Sequence, residues 1–357
     1  MPWSTPTLKD MRRFTRDYVL SQLGAKAMVP NSVLRIMSDA MAGLTHLAML
    51  YLDWLAKQLL PDTAEREWLD RHGVIWLTNA DGSKGRKAAT YAKGWVRFTG
   101  NIDTIIPTGT LLTGANGVQY QTTVQGRIGS NGLGDAPAYA LANGSVGNME
   151  DGTSFGLAGA ITGIESAECY GDMTGGIDEE TDDQLRERIL LRIQNPPMGG
   201  SQSDYIQWAL AVPGVTRAWA ACEIGPGTMT VRFLMDDLHP PYGQPNQTDI
   251  NLVSDYIDSK RPVTVKDCFV YPPTIQFYGI TIKGLAKDDM TVRANIEASL
   301  RAMERKRSGP GQTMYRSWVD EAVSNAVGEE YHELTFTTTV PLAPAYMPTL
   351  GTVLYQP

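Results

Sequence analysis

The chain has 357 residues, of which 42% are hydrophobic and 20% are charged, and its formal net charge is −8. A chain of this size and composition can bury a real core and, at roughly 100 to 200 residues per domain, should hold two to four domains. The acidic balance argues against a general nucleic-acid binder, because neutralising phosphates requires a basic surface.

Metal, disulfide and membrane signals are weak in this sequence. The start of the chain has no charged segment followed by an apolar core, and no apolar run reaches the ~18 residues of a spanning helix. We therefore expect no metal, no cofactor and no membrane insertion, in a chain that stays in a cytoplasm. The cysteines and histidines, which lack paired or metal-ligand spacing, are Cys169, Cys222, Cys268, His46, His72, His239 and His332.

The sequence of residues 1–80 predicts an N-terminal helical region. A capping box at Thr7–Asp10 opens the first helix, whose arginines form either a solvated face or a contact for an acidic partner. A second helix, from about Ser32 to Leu60, carries two adjacent apolar stripes that one neighbouring helix cannot cover. This helix is therefore either central in a local bundle or covered by another chain. The first stripe contains Met37, Met41, Leu44, Ala48, Tyr51 and Leu55, and the second contains Ile36, Ala40, Leu47, Leu50 and Trp54.

A glycine-rich β-domain is predicted over residues 88–165. Before it, Asp62 with Glu65 predicts the cap of a short third helix ending at Gly73, and residues 82–87 have the composition of a linker. Asn-Gly pairs at 116, 131 and 143 separate short strand-like runs, which is typical of a small sandwich or barrel. Residues 143–163 are interpreted as a flexible tail that leads back into the following unit, so the β-domain is an insertion.

An αβ core is predicted over residues 166–262. Thr181 and Gln184 form a capping box, with a charge pair from Asp182 to Arg186, and a second helix begins at Ser201 after two prolines and two glycines. Strands are predicted over 215–223 and 228–235, then a helix to about Lys260. A C-terminal αβ domain follows over 263–357. Its predicted strands are 264–270, 274–283, 333–340 and 351–355, and its predicted helices are 291–307 and 314–327.

Several spaced elements of the αβ core closely resemble the baseplate J-like family, wedge proteins of contractile phage tails and related injection machines. The sequence reads Gly175-Gly176-x-Asp-x-Glu-x-Asp-x-x-Leu-Arg-x-Arg-Ile. It continues with Pro-Pro-x-Gly-Gly-x-x-x-Asp-Tyr and then Trp-Ala-x-x-Val-Pro-Gly-Val. The chain is similar to the Mu-like branch over most of its length.

The resemblance implies a non-enzymatic structural protein of a virion, in a contractile tail baseplate assembled in the bacterial host cytoplasm. Its implied partners are other copies of itself, a smaller wedge protein, and the tail hub, sheath and fibre proteins. Wedges of the family join as a ring around the hub and couple receptor contact to sheath contraction. The candidate partner interface is the apolar surface of the second helix, with Met37, Met41, Leu44, Leu47, Leu50 and Trp54.

Two rival functions come from other classes. The glycine-rich β-domain and eight tryptophans suit a carbohydrate-binding or depolymerase tail protein. The pentapeptide around Ser154 fits the nucleophile-elbow spelling of a serine hydrolase, although no helix follows it. Glycines at 129–134 and acidic residues at 178–183 lack the context of a phosphate loop or a calcium loop. The predicted fold is therefore α+β and multidomain, with a helical region, an inserted β-domain, an αβ core and a C-terminal αβ unit.

Overall fold

The computed structural model describes residues 4–24, 27–157, 159, 161–263, 265–336 and 343–356. The chain is mixed α and β throughout this part, as predicted. The helices are α1 (Leu8–Leu23), α2 (Val33–Gln58), α3 (Arg66–Trp76), α4 (Asp182–Gln194), α5 (Gln202–Ala211), α6 (Gln247–Lys260), α7 (Met290–Arg307) and α8 (Arg316–Ser324). The strands of the first half are β1 (Tyr91–Gly100), β2 (Ile105–Ile106), β3 (Leu111–Gly114), β4 (Gln119–Thr122), β5 (Gly126–Arg127), β6 (Leu133–Asn143), β7 (Ser154–Leu157) and β8 (Ile164–Thr174). Those of the second half are β9 (Arg217–Ala221), β10 (Thr228–Leu234), β11 (Asp267–Tyr271), β12 (Thr274–Lys283), β13 (Glu333–Thr335) and β14 (Tyr346–Gln356).

Helices α1 and α2 form an antiparallel hairpin. The hydroxyl of Thr7 caps α1 and that of Ser32 caps α2, so both starts follow the local sequence. The predicted start and end of the third helix are wrong. Asp62 is not its cap, because α3 starts after Glu65, whose side chain makes no cap hydrogen bond, and it continues past Gly73 to Trp76.

The glycine-rich segment folds as a closed barrel with the strand order β1-β6-β4-β3-β7-β8, and β8 closes it by pairing with β1. Inward positions of β6 are small residues, Ala136, Ala138 and Ala140, which leave room for larger side chains from other strands. Tyr120 fills much of this space, and its hydroxyl donates a hydrogen bond to the carbonyl oxygen of Gly147 at 2.9 Å. The barrel interior is therefore a packed core.

The predicted turns of the barrel differ in outcome. Asn116-Gly117 joins β3 to β4 as expected, with Gly117 at a φ of 77°. Asn143-Gly144 is not a hairpin, since a single 3-10 turn at Ser145–Gly147 follows it. Residues 143–163 are also not a tail that leaves the barrel, because they carry β7 and lead into β8. The predicted boundary at 165 falls inside β8.

The chain enters and leaves the barrel at adjacent points, so the barrel is inserted between α3 and α4. The backbone N–H of Thr90 donates to the carbonyl oxygen of Ile177 at 2.9 Å, and that of Glu180 donates to Lys87 at 3.1 Å. Residues 82–87 are consequently not a free linker. The ammonium of Lys87 donates to three backbone carbonyls near the end of α5, those of Leu210, Val212 and Val215, at 3.0 to 3.3 Å.

The αβ core has helices α4, α5 and α6 beside a three-stranded sheet ordered β11-β10-β9. Strand β10 is parallel to β11 and antiparallel to β9, and its side chains are buried on both faces. Capping boxes start all three helices, at Thr181, Ser201 and Asn246. The predicted Asp182–Arg186 pair is replaced, because Asp182 pairs with Arg86 and Arg186 pairs with Asp183.

The C-terminal unit packs α7 and α8 on a sheet ordered β13-β12-β14. Strands β12 and β14 are parallel although they are far apart in sequence. This unit contacts the αβ core through an ion pair between Arg305 and Asp237, at 2.9 Å, and an edge contact between the rings of Tyr242 and Phe277. The predicted strand residues 337–340 lie outside the described residues.

Candidate partner interface

The two helices of the hairpin meet through small and polar side chains of α2. Ser38 and Ala42 are buried against α1, one turn apart. The hydroxyl of Thr15 donates to the carbonyl oxygen of Ser38 at 3.2 Å, and the guanidinium of Arg16 binds both carboxylate oxygens of Asp39. Thr5 hydrogen-bonds Asp53 near the other end of α2. This contact leaves Leu44, Leu47 and Leu50 of α2 exposed.

Five of the six predicted interface residues are exposed to solvent. Leu44 is 65% exposed, Leu47 is 63% exposed and Leu50 is 46% exposed, far above the values of core leucines. Met37 and Met41 are equally exposed, at 60% each. Of the two arrangements left open by the sequence, the described residues exclude a central position in a local bundle. A contiguous apolar surface of this kind is unusual in a monomeric soluble protein.

Trp54, the sixth predicted residue, is partly buried and joins the end of α2 to α3. Its indole N–H lies 3.1 Å from both carboxylate oxygens of Glu65, and its ring meets that of Trp68 edge-on at 6.4 Å. The buried amide of Gln58 accepts a hydrogen bond from the backbone N–H of Glu65 at 2.8 Å. The end of α2 is thus fixed to α3, whereas its middle is free.

A groove of about 650 Å³ runs between α1 and α2, and its walls are almost entirely apolar. Both helices contribute to it, so the surface extends beyond the predicted stripes of α2. The groove residues not predicted from sequence as interface are Phe14, Thr15, Tyr18, Val19, Leu34 and Ser38. We call the groove together with Met37, Met41, Leu44, Leu47 and Leu50 the hairpin surface.

Charges lie at the rim of the hairpin surface. Arg16 donates to Asp39 and holds the pKa of that carboxyl below its usual range. Arg12 and Arg13 are exposed and form no ion pair among the described residues. The hairpin therefore presents an apolar surface beside free cations, in a chain whose net charge is −8.

Helix α2 also qualifies as a membrane span by length and composition, the one such helix in the part of the chain that the structure describes. Interruptions such as Asp39 and His46 are too few to lower its average hydropathy below that of a membrane helix. The prediction from the sequence that no segment is long and apolar enough to span a membrane is therefore wrong. Its exposed apolar side chains include those of the hairpin surface together with Ile36, Tyr51 and Leu52.

A buried polar cluster attaches this helical region to the αβ core. The guanidinium of Arg188, on α4, binds the carboxylate of Glu180 at 2.6 and 2.7 Å and the side-chain oxygen of Asn79 at 2.7 Å. The amide of Asn79 donates in turn to the carbonyl oxygen of Gly85 at 3.2 Å. Arg86 pairs with both Asp70, on α3, and Asp182, on α4, at 2.7 Å. The cluster thus ties α3, the segment before the barrel and α4 together.

The residues proposed for chemistry in the rival functions lie apart. Ser154 opens the barrel strand β7, which no helix follows, so it is not on a nucleophile elbow. His239 contacts Asp249 at 2.7 Å, and His332 contacts Glu329 and Asp320. Neither histidine is bonded to Ser154 in the described chain. Among the described residues, no group of three or more acidic, histidine or cysteine side chains is arranged to hold a metal ion.

Models of three protein-domain families match this chain. The "Baseplate J-like protein barrel domain" matches residues 95–176, which covers most of the closed barrel. The "Baseplate J-like central domain" matches residues 197–272, and the "Baseplate J-like protein C-terminal domain" matches residues 278–356.

Individual proteins are similar over nearly the whole length. The "Mu-like prophage FluMu protein gp47" of Haemophilus influenzae is 32% identical over 353 residues, 95% of each chain. The "Baseplate protein gp47" of Escherichia phage Mu is 30% identical over 357 residues, again 95% of each chain. The "Putative protein JayE" of Escherichia coli is 30% identical over 262 residues, 72% of this chain and 98% of its own length.

Proposed function

Because the chain belongs to the baseplate J-like family, we propose that it is a wedge component of a contractile phage tail baseplate. It is a structural protein of the virion tail and assembles with other baseplate components. As a wedge protein it pairs with further copies of itself and with a smaller wedge partner. The wedges join as a ring around the hub, contact sheath and fibre proteins, and couple receptor contact to sheath contraction.

The observation that carries this proposal is the hairpin surface. It offers long apolar side chains on a helical pair that is fixed at one end by Trp54 and Gln58. Helices of partner chains bury such a surface well, since amphipathic helices pack their apolar faces into grooves between helices. This proposed role implies that the chain assembles in the host cytoplasm without inserting into a membrane.

The division into four parts supports the same role. We keep the helical region at 1–80, the β-domain at 88–165, the αβ core at 166–262 and the C-terminal domain at 263–357 as a proposal. Separate clusters of buried residues in the barrel, the αβ core and the C-terminal unit favour a division into such units, with the barrel extending to the end of β8 at Thr174. The protein then works as a rigid spacer with an assembly surface at one end, and it has no enzymatic activity.

The decisive experiment changes two exposed leucines of the hairpin surface to glutamate. Burying each leucine is worth roughly 1.5 to 3 kcal/mol, so Leu47→Glu with Leu50→Glu should weaken assembly by about two to four orders of magnitude. Both side chains are exposed in this chain, so native helicity should remain. Circular dichroism and sedimentation on the same variant, co-expressed with the other tail proteins, measure the two effects.

A matched control carries the same charge change on exposed apolar side chains elsewhere. Leu252→Glu with Val327→Glu, on α6 and after α8, should leave assembly unchanged. Lost helicity in the Leu47 and Leu50 variant, or unchanged assembly, would overturn the proposal. Binding of the parent chain to lipid vesicles without any tail protein would assign the hairpin surface to a membrane instead.

Carbohydrate binding is retained as the second candidate because one observation favours it. Trp95 and Tyr170 are direct neighbours on β1 and β8 and are 51% and 47% exposed on the barrel exterior. The guanidinium of Arg97 lies 3.4 Å from the Tyr170 ring centre and covers one of its faces, which leaves Trp95 as the free platform. A glycan array on the full chain tests this, and binding lost in Trp95→Ala would support the rival.

A further inference from the structure

A second concave site lies in the αβ core, away from the hairpin surface. It is a half-open pocket of about 260 Å³ between the end of α3 and helices α4, α5 and α6. Its lining includes three aromatic and three basic side chains, which are Trp76, Trp208, Tyr256, Arg188, Arg192 and Lys260. The volume suits one or two amino-acid side chains rather than a cofactor.

Charge within the pocket is unbalanced. Asp204 is its one lining carboxylate, and that carboxylate already accepts hydrogen bonds from the backbone N–H groups of Met198, Gly200 and Ser201. Burial works to raise the pKa of Asp204, but these N–H groups outweigh it and lower the pKa, so the side chain stays ionised. Glu180 neutralises Arg188 at 2.6 Å. Arg192 and Lys260 form no ion pair with any described residue.

The two unpaired cations are held in place. The guanidinium of Arg192 donates to the side-chain oxygen of Gln207 at 3.3 Å, and the amide of Gln207 donates to the carbonyl oxygen of Asn195 at 2.7 Å. The ammonium of Lys260 lies 5.6 Å from the ring centre of Tyr256. Trp208 is fixed by an edge contact with the ring of Tyr205 at 4.9 Å. A site whose groups are already positioned loses little entropy on binding.

The simplest explanation of each cation is its position in the last turn of a helix, where a positive charge complements the helix dipole. That explanation accounts for Arg192 and Lys260 separately. It does not account for their convergence with Trp76, Trp208 and Tyr256 on one concave surface. Two free cations beside aromatic walls match a carboxylate that is next to an apolar or aromatic group.

We propose that this pocket binds an acidic peptide segment of a partner protein, with a carboxylate between Arg192 and Lys260 and a neighbouring apolar side chain against Trp76 and Trp208. The site is separate from the hairpin surface, so it holds whether or not the chain acts as a wedge.

The test uses the full chain labelled with 5-fluorotryptophan and small acetylated dipeptide probes. Acetyl-Phe-Glu-amide should shift the fluorine signals of Trp76 and Trp208, assigned by Trp76→Phe and Trp208→Phe, with a dissociation constant of about 1 mM, a value typical of weak, small-ligand binding. The neutral acetyl-Phe-Gln-amide should bind at least about tenfold more weakly, which corresponds to one lost charge-assisted contact. Acetyl-Phe-Gln with a free terminal carboxylate shows whether a chain end is also accepted.

Matched charge variants complete the experiment. Arg192→Gln with Lys260→Gln should reduce binding of acetyl-Phe-Glu-amide at least about tenfold. Arg12→Gln with Lys306→Gln makes the same change in net charge at exposed positions and should leave binding unchanged. Unshifted signals of the other tryptophans establish that the variants are folded. Equal binding of the acidic and neutral amides, or no shift of Trp76 and Trp208 with any carboxylate probe, overturns the proposal.

Discussion

At the scale of single residues, the most informative group is a buried carboxylate in the C-terminal unit. Glu304, on α7, accepts hydrogen bonds at one oxygen from the hydroxyl of Tyr278 at 2.8 Å and from the backbone N–H of Leu350. It therefore links α7 to β12 and β14 near the point where their register shifts. Burial raises the pKa of Glu304 to about 6, against the opposing effect of these two donors.

The raised pKa predicts how stability depends on pH. Between the ordinary value of 4.5 and about 6, the folded chain binds more protons at Glu304 than the unfolded chain. Its contribution is complete below pH 4.5 and is lost as the pH rises through 6, a loss of about 2 kcal/mol at most. Glu304→Gln removes this dependence while keeping the acceptor oxygen.

Urea denaturation of both proteins at pH 4.5, 5.5 and 7 measures this difference. The parent chain should gain stability relative to Glu304→Gln as the pH falls. All other carboxylates titrate equally in the two proteins, so they cancel in the comparison. A difference that is constant across the three pH values would show that Glu304 titrates normally.

The second prediction at this scale concerns the turn before α5. Gly200 has a φ of 119°, and an added Cβ would lie 2.8 Å from the Cγ of Pro262. Gly200→Ala should lower the free energy of unfolding by roughly 1 to 3 kcal/mol through backbone strain and this contact. Gly199 is the matched control, because its φ of 74° is also positive but nothing lies within 4 Å of its Cβ position. Thermal midpoints that fall equally in Gly199→Ala and Gly200→Ala would show that the contact with Pro262 costs nothing.

At the scale of elements, the hairpin inverts the usual placement of side chains. Its internal contact uses Ser38 and Ala42, while Leu44 and Leu47 face solvent. Small residues allow α1 and α2 to approach closely, and this close approach leaves no room for the larger side chains between them. The hairpin therefore holds together while most side chains of its apolar stripes stay exposed.

Enlarging the internal contact tests that arrangement. Ala42 is fully buried, so Ala42→Leu should force the helices apart and destabilise the hairpin by about 1 to 3 kcal/mol. Ala48→Leu adds the same atoms at an exposed position of α2 and should be nearly neutral. Loss of helical circular dichroism on heating compares the two. A stable Ala42→Leu chain and an unstable Ala48→Leu chain would mean that α1 packs on the opposite side of α2.

Local chemistry explains which elements could be predicted from the sequence. The capping boxes at Thr181 and Ser201 and the turn at Asn116-Gly117 depend on residues within four positions, and all three are present. Closure of the barrel by β8 and the burial of Lys87 depend on residues more than sixty positions apart. Composition alone therefore made residues 143–163 resemble a tail and residues 82–87 resemble a linker.

The hairpin surface could be predicted in part from local sequence, whereas the pocket could not. The stripes of α2 follow from helical periodicity, so Leu44, Leu47 and Leu50 could be identified without a structure. Trp54 shares that periodicity, but its contacts with Glu65 and Trp68 depend on how α3 folds back. The signal that was missed is the pair of small residues Ser38 and Ala42, four positions apart on one face. Residues of four helices line the pocket, and no local sequence pattern predicts that these helices meet.

At the scale of the whole molecule, one buried ion pair connects parts that are far apart in sequence. Glu180 and Arg188 lie where the chain leaves the barrel and enters α4, and Asn79 comes from the segment after α3. Removing one partner of a buried pair leaves the other charge without compensation, which costs about 3 to 5 kcal/mol. The cluster should therefore govern how firmly the helical region is attached.

Arg188→Met tests this attachment. Urea denaturation should show a loss of about 3 to 5 kcal/mol, and hydrogen exchange should accelerate in α3 more than in the barrel. Arg66→Met is the control, because Arg66 pairs with Glu179 at the surface and its loss should cost less than about 1 kcal/mol. Equal losses in the two variants would contradict a special role for the buried pair.

The closed barrel also has a consequence for how the protein is made. Strand β1 is paired on both edges, by β6 and by β8, and β8 begins roughly sixty residues after β1 ends. At about 5 to 20 residues per second, a ribosome needs roughly 3 to 12 seconds to synthesise that interval. Throughout this time one edge of β1 has no partner, so nascent chains stalled before residue 164 should be cut by protease in β1, while chains released after residue 174 should resist. Codon choice between the two strands thus sets how long an incomplete barrel is exposed to the crowded interior of the cell.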